Sequence, residues 1–480
     1  MASASNMFKT FGPGIMFACT AIGVSHLIQA TRAGAEFGFA LLGFVIAANL
    51  LKYPFYEFSS RYTSATGTSL IDGYLRLGRS YLLLYLAITV ASMFFVTGAV
   101  GFVTAGFMEN LFSAEFLDQW TLVILFAVCA AILVAGRYTV LDSLIKVIAA
   151  VLVVSTILAF AIAVYNGPSE PVPGFEVPEV LSGAGIFFLI ALMGWMPMPI
   201  DTSTWHSLWT LERIKQTGFR PRLRETLLDF NVGYGITAVL AVLFLVLGTY
   251  IFFGSGEELP NNNSLFAGKI VTLYTETVGE WSELVISASA FSVMFGTIIA
   301  VLDGYSRALS RMTRMVGSLR GGPYRAAGKQ AYDGGGGDRG ASDSDNDRGG
   351  GDRGHGAGHN HGTAAAAAAE PLPATGVDAH HDDSKGLRYP VYIILLVAGS
   401  LAIVTFFGDK LKELVDFATI VSFMIAPVIA LFNFRLVTGR YIERNMQPPA
   451  WLKVLACAGI AFLVGFAAFF ALVRLEVISL

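Results

Sequence analysis

The chain has 480 residues, of which 54% are hydrophobic and only 14% charged, against about 25% charged in a soluble globular protein. Its net charge of -3 comes wholly from residues 318–386, with 7 basic and 10 acidic side chains, and the remainder balances at 25 against 25. That composition excludes a soluble fold and leaves no basic surface for nucleic acid, so the chain reads as a multi-pass membrane protein whose first partner is the lipid bilayer.

Crossing about 30 Å of hydrocarbon takes about 20 helical residues. Apolar stretches of that length begin near Gly12, Phe39, Tyr81, Trp120, Leu144, Gly183, Val232, Trp281, Tyr389, Val415 and Trp451, which predicts about eleven spans. The runs are continuous where a membrane barrel would alternate, so the fold class is all-α integral membrane. The first run, behind a single Lys9, is too long for a signal peptide's core and is read as the first span. Trp120, Trp281 and Trp451 each open a span, as interfacial side chains do. The three cysteines, Cys19, Cys129 and Cys457, lie in apolar runs without disulfide or zinc spacing.

Basic residues follow the even-numbered spans: Arg61, Arg76 and Arg79, then Arg137, then Arg213 to Arg224, then Arg307, Arg311 and Arg314, then Arg435, Arg440 and Arg444. Basic residues near span ends stay on the cytoplasmic side, which predicts an inside N-terminus and an outside C-terminus. Near the end of span two, Lys52 is expected to snorkel to that interface, with a gating role for Lys52 and Glu57 as the alternative. Asn262-Asn263-Ser264, on the predicted outer side, is a glycosylation acceptor only in a eukaryotic secretory route. Residues 1–317 then carry spans one to eight, 318–386 form a loop, and 387–480 carry spans nine to eleven. The loop's Gly-Asp-Arg repeats and six-alanine run cannot bury enough apolar surface to hold a fold. It is predicted to be disordered and cytoplasmic, either a spacer or, through His355, His359 and His361 with His380 and His381, a loose metal-binding buffer.

Two spans carry interruptions. In span six, Met196-Pro197-Met198-Pro199 cannot continue a helix, because each proline removes a hydrogen bond and clashes with the preceding turn. Asp201 follows at once, and a carboxylate at mid-membrane costs about 2.5 to 3.5 kcal/mol even on the milder scales. In span one the polar pair Ser25-His26 follows Gly23. Interruptions in the first and sixth spans are the pattern of secondary transporters built as an inverted five-plus-five repeat, with substrate held between the breaks. His26, Met198 and Asp201 would supply nitrogen, sulfur and oxygen ligands, a mixture suited to transition metals more than to Mg or Ca. The plainer readings are a packed Met, a carbonyl-bonded His and an Asp that caps the second half-helix.

These residues resemble the NRAMP family of proton-coupled divalent metal transporters, which adopt the leucine-transporter fold. The resemblance rests on Gly12-Pro13-Gly14 and Ala33-Gly34-Ala35 bounding span one, Met198-Pro199 in span six, and Asp303-Gly304-Tyr305 ending span eight. It implies a metal held by an Asp and an Asn of an Asp-Pro-Gly-Asn motif in helix one, and by a Met and a carbonyl near a Met-Pro-His motif in helix six. Here the first motif reads Gly23-Val24-Ser25-His26, the His of the second is Ile200, and residues 81–108 of span three contain no acid. Asp201 is then the replacement carboxylate and His26 the replacement for the amide, with Gly23 and Ser25 beside them and Pro197 and Pro199 making the break.

The resulting expectation is an inward transporter of divalent transition metals, Mn- or Fe-like, with a proton as possible coupling ion and no bound cofactor. An organic-solute carrier of the same fold and a non-transporting metal sensor are the alternatives. With no nucleophile-base pair, phosphate loop or cofactor motif, an enzyme is not expected. Oligomeric state is not legible.

Overall fold

The computed structural model describes residues 10–475 other than 11, 118, 137, 258, 321–385 and 409. The chain divides into two units, Met1–Thr313 with Asp382–Leu480, and Arg314–His381. In the second unit the described residues are the last turns of a helix ending at Arg320, so 318–320, assigned above to the loop, are helical. The rest of that tract to 385, with His355, His359 and His361, lies outside the described residues.

In the first unit every described element is helical. Span one is α1 (Pro13–Ala21), a π-helical turn (Ser25–Ala30) and α2 (Thr31–Phe37), and span two is α3 (Leu42–Thr66). A short α4 (Leu70–Leu77) leads to α5 (Arg79–Phe112), α6 (Gln119–Val134) and α7 (Tyr138–Asn166). Span six is α8 (Gly183–Trp195) and α9 (Ser203–Thr217), followed by α10 (Leu223–Phe252). A helix not foreseen as an element, α11 (Asn263–Val278), precedes α12 (Glu283–Arg320), and Asn262 of the glycosylation triplet caps it by accepting from Leu265 N. The chain continues with α13 (Arg388–Phe407), α14 (Leu411–Thr438) and α15 (Ala450–Arg474).

Among the described residues, eight helical segments are long and apolar enough to cross a membrane, and the apolar Trp120–Val134 and Ala150–Asn166 are shorter. The first of the eight, Ser25–Thr66, runs from span one into span two, so all eleven predicted spans are helical. Their burial is uneven. In span six 83% of the apolar window is buried, against 22% in α13 and 28% in α15, which makes span six the centre of the bundle and α13 and α15 its lipid-facing flank. Span one packs on span seven, and span six on span two. Adding five to each member of the first pair, modulo the ten-span repeat, gives the second, as an inverted five-plus-five repeat requires.

Small residues let the central helices touch backbone to backbone, the usual device where lipid removes the hydrophobic drive for association. A Cβ on Gly14 would lie 2.1 Å from the Asp229 carbonyl oxygen, one on Gly34 2.0 Å from that of Leu245, and one on Gly194 2.1 Å from that of Thr419. The first two clamp span one against α10, and the third clamps α8 against α14. Asp229 also accepts from the backbone N–H groups of Gly12 (3.1 Å) and Gly14 (2.7 Å). A carboxylate thus satisfies the open N-terminus of α1 and complements its dipole.

Candidate substrate site between the interrupted helices

The two interruptions differ in kind. Span six is broken outright: α8 stops at Trp195, Met196 is extended, and the chain re-forms as a 3₁₀ turn at Ile200–Thr202 before α9. Two prolines within three residues leave no other outcome. Span one is only loosened, by a turn at 22–23 and the wide π turn that follows. Ser25 joins the two. Its Oγ lies 2.9 Å from the Pro197 carbonyl oxygen, 2.6 Å from that of Ala21 and 2.7 Å from His26 Nδ1.

Between the two interruptions lies a cavity of about 30 Å³, walled by Ser25, Pro197, Met198 and Pro199 with Thr20, Thr202 and Thr297, and otherwise by apolar side chains that include Trp195 and Trp205. That is room for about two waters. Ser25, Met198, Pro197 and Pro199 of the expected set are therefore brought together. His26 and Asp201 are not in the wall. His26 is fully buried, with Nε2 2.9 Å from the Thr237 carbonyl oxygen and Nδ1 on Ser25, so both ring nitrogens are engaged. Asp201, also buried, sits in the 3₁₀ turn Ile200–Thr202 where the helix re-forms, and its carbonyl oxygen accepts from Thr204 Oγ1 at 2.9 Å. The His26 arrangement is that of the plainer reading given for it, a carbonyl-bonded histidine. Among the described residues, no three His, Cys, Asp or Glu side chains converge as a metal site.

Gly23 explains where the missing helix-one carboxylate went. A Cβ there would lie 2.7 Å from Thr297 Oγ1 and 2.8 Å from its Cγ2, closer than real Cβ atoms approach anything, so Thr297 of α12 fills the place of a side chain at position 23. The Asp303-Gly304-Tyr305 segment of the same helix also has a packing logic. Asp303 accepts from Trp209 Nε1 (3.1 Å), Arg307 Nε (2.8 Å) and Tyr389 Oη (2.6 Å), tying α12 to α9 and α13. A Cβ on Gly304 would lie 2.4 Å from the Trp205 indole.

Lys52 corrects the sequence reading. Its ammonium does not snorkel: the residue is fully buried and donates to the carbonyl oxygens of Met193 (2.5 Å), Gly194 (2.9 Å) and Met198 (3.5 Å). Tyr56, one turn on, donates to the Met198 carbonyl as well. The signal was countable. Thirteen residues separate Lys52 from Phe39, or about 20 Å at 1.5 Å per residue, which is the depth of the core and not its edge. Glu57, by contrast, pairs within its own helix with Arg61, at 3.0 Å from Nε. Tyr56, Thr20 and Thr297 carried no comparable signal, since hydroxyls are common in membrane spans.

At one end of the assembly a bidentate pair joins spans one and ten. Arg32 Nη1 and Nη2 lie 2.8 and 3.3 Å from the Asp416 carboxylate oxygens, Gln29 Nε2 adds a bond of 3.0 Å, and Glu36 receives Arg32 Nε at 3.2 Å.

Comparison with known proteins agrees with this architecture. Residues 14–300 match the model of the Nramp family, described as natural resistance-associated macrophage protein-like. An uncharacterized protein of Pasteurella multocida is 36% identical over 315 residues, 64% of this chain and 71% of the relative. The divalent metal cation transporter MntH of Staphylococcus saprophyticus is 23% identical over 282 residues, 53% of this chain and 58% of that protein. In structure, a mutant of the Eremococcus coleocola manganese transporter superposes with a TM-score of 0.65 at 13% identity, over 97% of this chain and 87% of its own. The likeness in structure shows the leucine-transporter-like fold, and the family model, matching more than half of the sequence, shows the lineage. The chain belongs to the Nramp family, as a multi-pass membrane transporter and not an enzyme.

Proposed function

We propose that the chain is a secondary transporter of divalent transition-metal cations, and that its transport site is the cavity between the interruptions of spans one and six. One observation carries this reading: the Met198 turn of span six faces the Ser25 turn of span one across a small cavity of about 30 Å³, where a thioether sulfur and hydroxyl oxygens could meet a stripped ion. The names of the family's relatives, a divalent metal cation transporter and a manganese transporter, support it. Thioether sulfur among oxygen ligands favours Mn- or Fe-like ions over Mg and Ca. Asp201 is the carboxylate nearest in sequence to the break, and residues 12–35, 81–108 and 183–210 contain no other acid. We assign it the charge that a dication needs on leaving water. In this reading metal moves inward, the N-terminus and the tract from 321 to 385 are cytoplasmic, and any coupled proton uses Asp201 because span three offers no acid.

The organic-solute reading keeps one observation of its own: among the described residues, no carboxylate lines the cavity. Calorimetric titration of the purified chain with Mn(II) separates the two. A unit-charge pair at 4 Å is worth about 4 kcal/mol at an effective dielectric of about 20. The doubled charge of a dication doubles that figure at equal distance, so loss of a nearby carboxylate is read as a loss of affinity. Wild type is expected to bind, and Asp201→Asn to bind at least tenfold more weakly. Unchanged affinity in Asp201→Asn, or no binding by wild type, removes the assignment.

A further inference from the structure

The break in span six leaves carbonyl oxygens without helical partners at membrane depth, where each has to be satisfied by protein, water or ion. Those of Met193 and Gly194 belong to the last turn of α8, whose dipole presents partial negative charge at that end, and that of Met198 comes from the extended segment. All three turn to one atom, Lys52 Nζ, at 2.5, 2.9 and 3.5 Å. This is more than a helix cap. The lysine comes from a different span, is fully buried, and gathers oxygens from both sides of the break, as a coordinated cation would. Tyr56 Oη, donating to the Met198 oxygen from the same face of α3, fixes the cage from outside. The three oxygens around one point, with the negative end of a helix behind them, match the ligand set of a desolvated monovalent cation.

We propose that the break in span six is a monovalent-cation site whose permanent occupant is the Lys52 ammonium, so that a tethered charge does what a bound sodium or potassium ion or a small alkylammonium would otherwise do. The native chain is then indifferent to alkali cations, and removal of the lysine side chain converts the cage into a site for free ones. The claim concerns the resting protein and does not rest on which substrate is carried, so a failure to bind Mn(II) leaves it standing.

The test uses the full chain in detergent without divalent metals and reads the thermal unfolding midpoint in sodium, potassium, n-propylammonium and N-methylglucamine chlorides at equal ionic strength. Wild type is expected to melt at one temperature in all four. Lys52→Ala is expected to melt lower in N-methylglucamine and to recover saturably with sodium, potassium or n-propylammonium. Lys52→Met, which fills the same space with an apolar chain, is expected to stay low in every salt. A saturable rise of the wild-type midpoint with sodium or potassium would overturn the proposal, because the site would then already take a free ion. So would a Lys52→Ala protein that folds and ignores all small cations, since the lysine would then only cap α8. Should Lys52→Ala not fold, Lys52→Gln, with a neutral amide that leaves part of the cage open, takes its place: saturable recovery with small cations supports the proposal, and indifference to them overturns it.

Discussion

Restoring the helix-one carboxylate by Gly23→Asp puts the contact between spans one and eight under direct strain. The new Cβ would lie 2.7 and 2.8 Å from two atoms of Thr297, where ordinary carbon contacts lie at about 3.5 to 4.0 Å. One of the helices has to give by nearly 1 Å, and overpacking of this kind costs about 1 to 3 kcal/mol, before the cost of placing a carboxylate among apolar walls is added. Thr297 holds its position through a bond to the Val293 carbonyl at 3.0 Å, so its rotation does not relieve the clash freely. Thr297→Ala removes both clashing atoms. In a double-mutant cycle, Gly23→Asp alone should lower the unfolding midpoint clearly, Thr297→Ala alone only slightly, and the pair should recover part of the loss, with a coupling of about 1 to 3 kcal/mol. The double mutant should also be stabilised by Mn(II) more than wild type is, because binding at 100 times the dissociation constant adds about 2.7 kcal/mol. Additive single effects would refute the reasoning that Thr297 fills the vacated position.

Met198→Ala should leave Mn(II) able to bind but erase its preference over Ca(II) and Mg(II), read as equal competition by excess Ca(II) in the variant and little in wild type; equal competition in both would mean that Met198 only packs. Asp416→Asn should remove the charge-assisted bonds to Arg32, each worth about 1.5 to 3 kcal/mol, and speed hydrogen exchange over Thr31–Phe37 while exchange in α15 stays as it was. Unaltered exchange at α2 would show that the pair does not hold spans one and ten together. Deleting residues 321–385, whose composition supports no packed core, should leave folding and Mn(II) affinity intact, and loss of either would give that segment a structural role.

Hydropathy made the helices legible, because the length of an apolar run is set by bilayer thickness and not by detail. The break at Met196–Pro199 was legible for a similarly local reason, the missing proline N–H. What surrounds the break was not. Ser25 and His26 drew notice as a polar pair, but that Ser25 faces Pro197 while His26 turns to the Thr237 carbonyl depends on the rotation of the π turn, which no residue pattern encodes. Gly23 read as a lost ligand, whereas its neighbour Thr297 is 274 positions away in sequence, and close approach between spans leaves no trace in either span alone. Lys52 was misplaced by reading its chemistry, a cation that prefers water, ahead of its depth. The helix α11 escaped notice because Lys269 and Glu276 interrupt its apolar run.

Uptake into proteoliposomes tests the central claim most directly. With the purified chain reconstituted and the interior loaded with a metal-sensitive dye, external Mn(II) or Fe(II) should enter at a rate that saturates, that excess Ca(II) does not block and that Asp201→Asn abolishes, while labelled amino acids offered to the same vesicles stay outside. Entry of an amino acid with no entry of any divalent metal would contradict the account and assign the cavity between spans one and six to an organic solute.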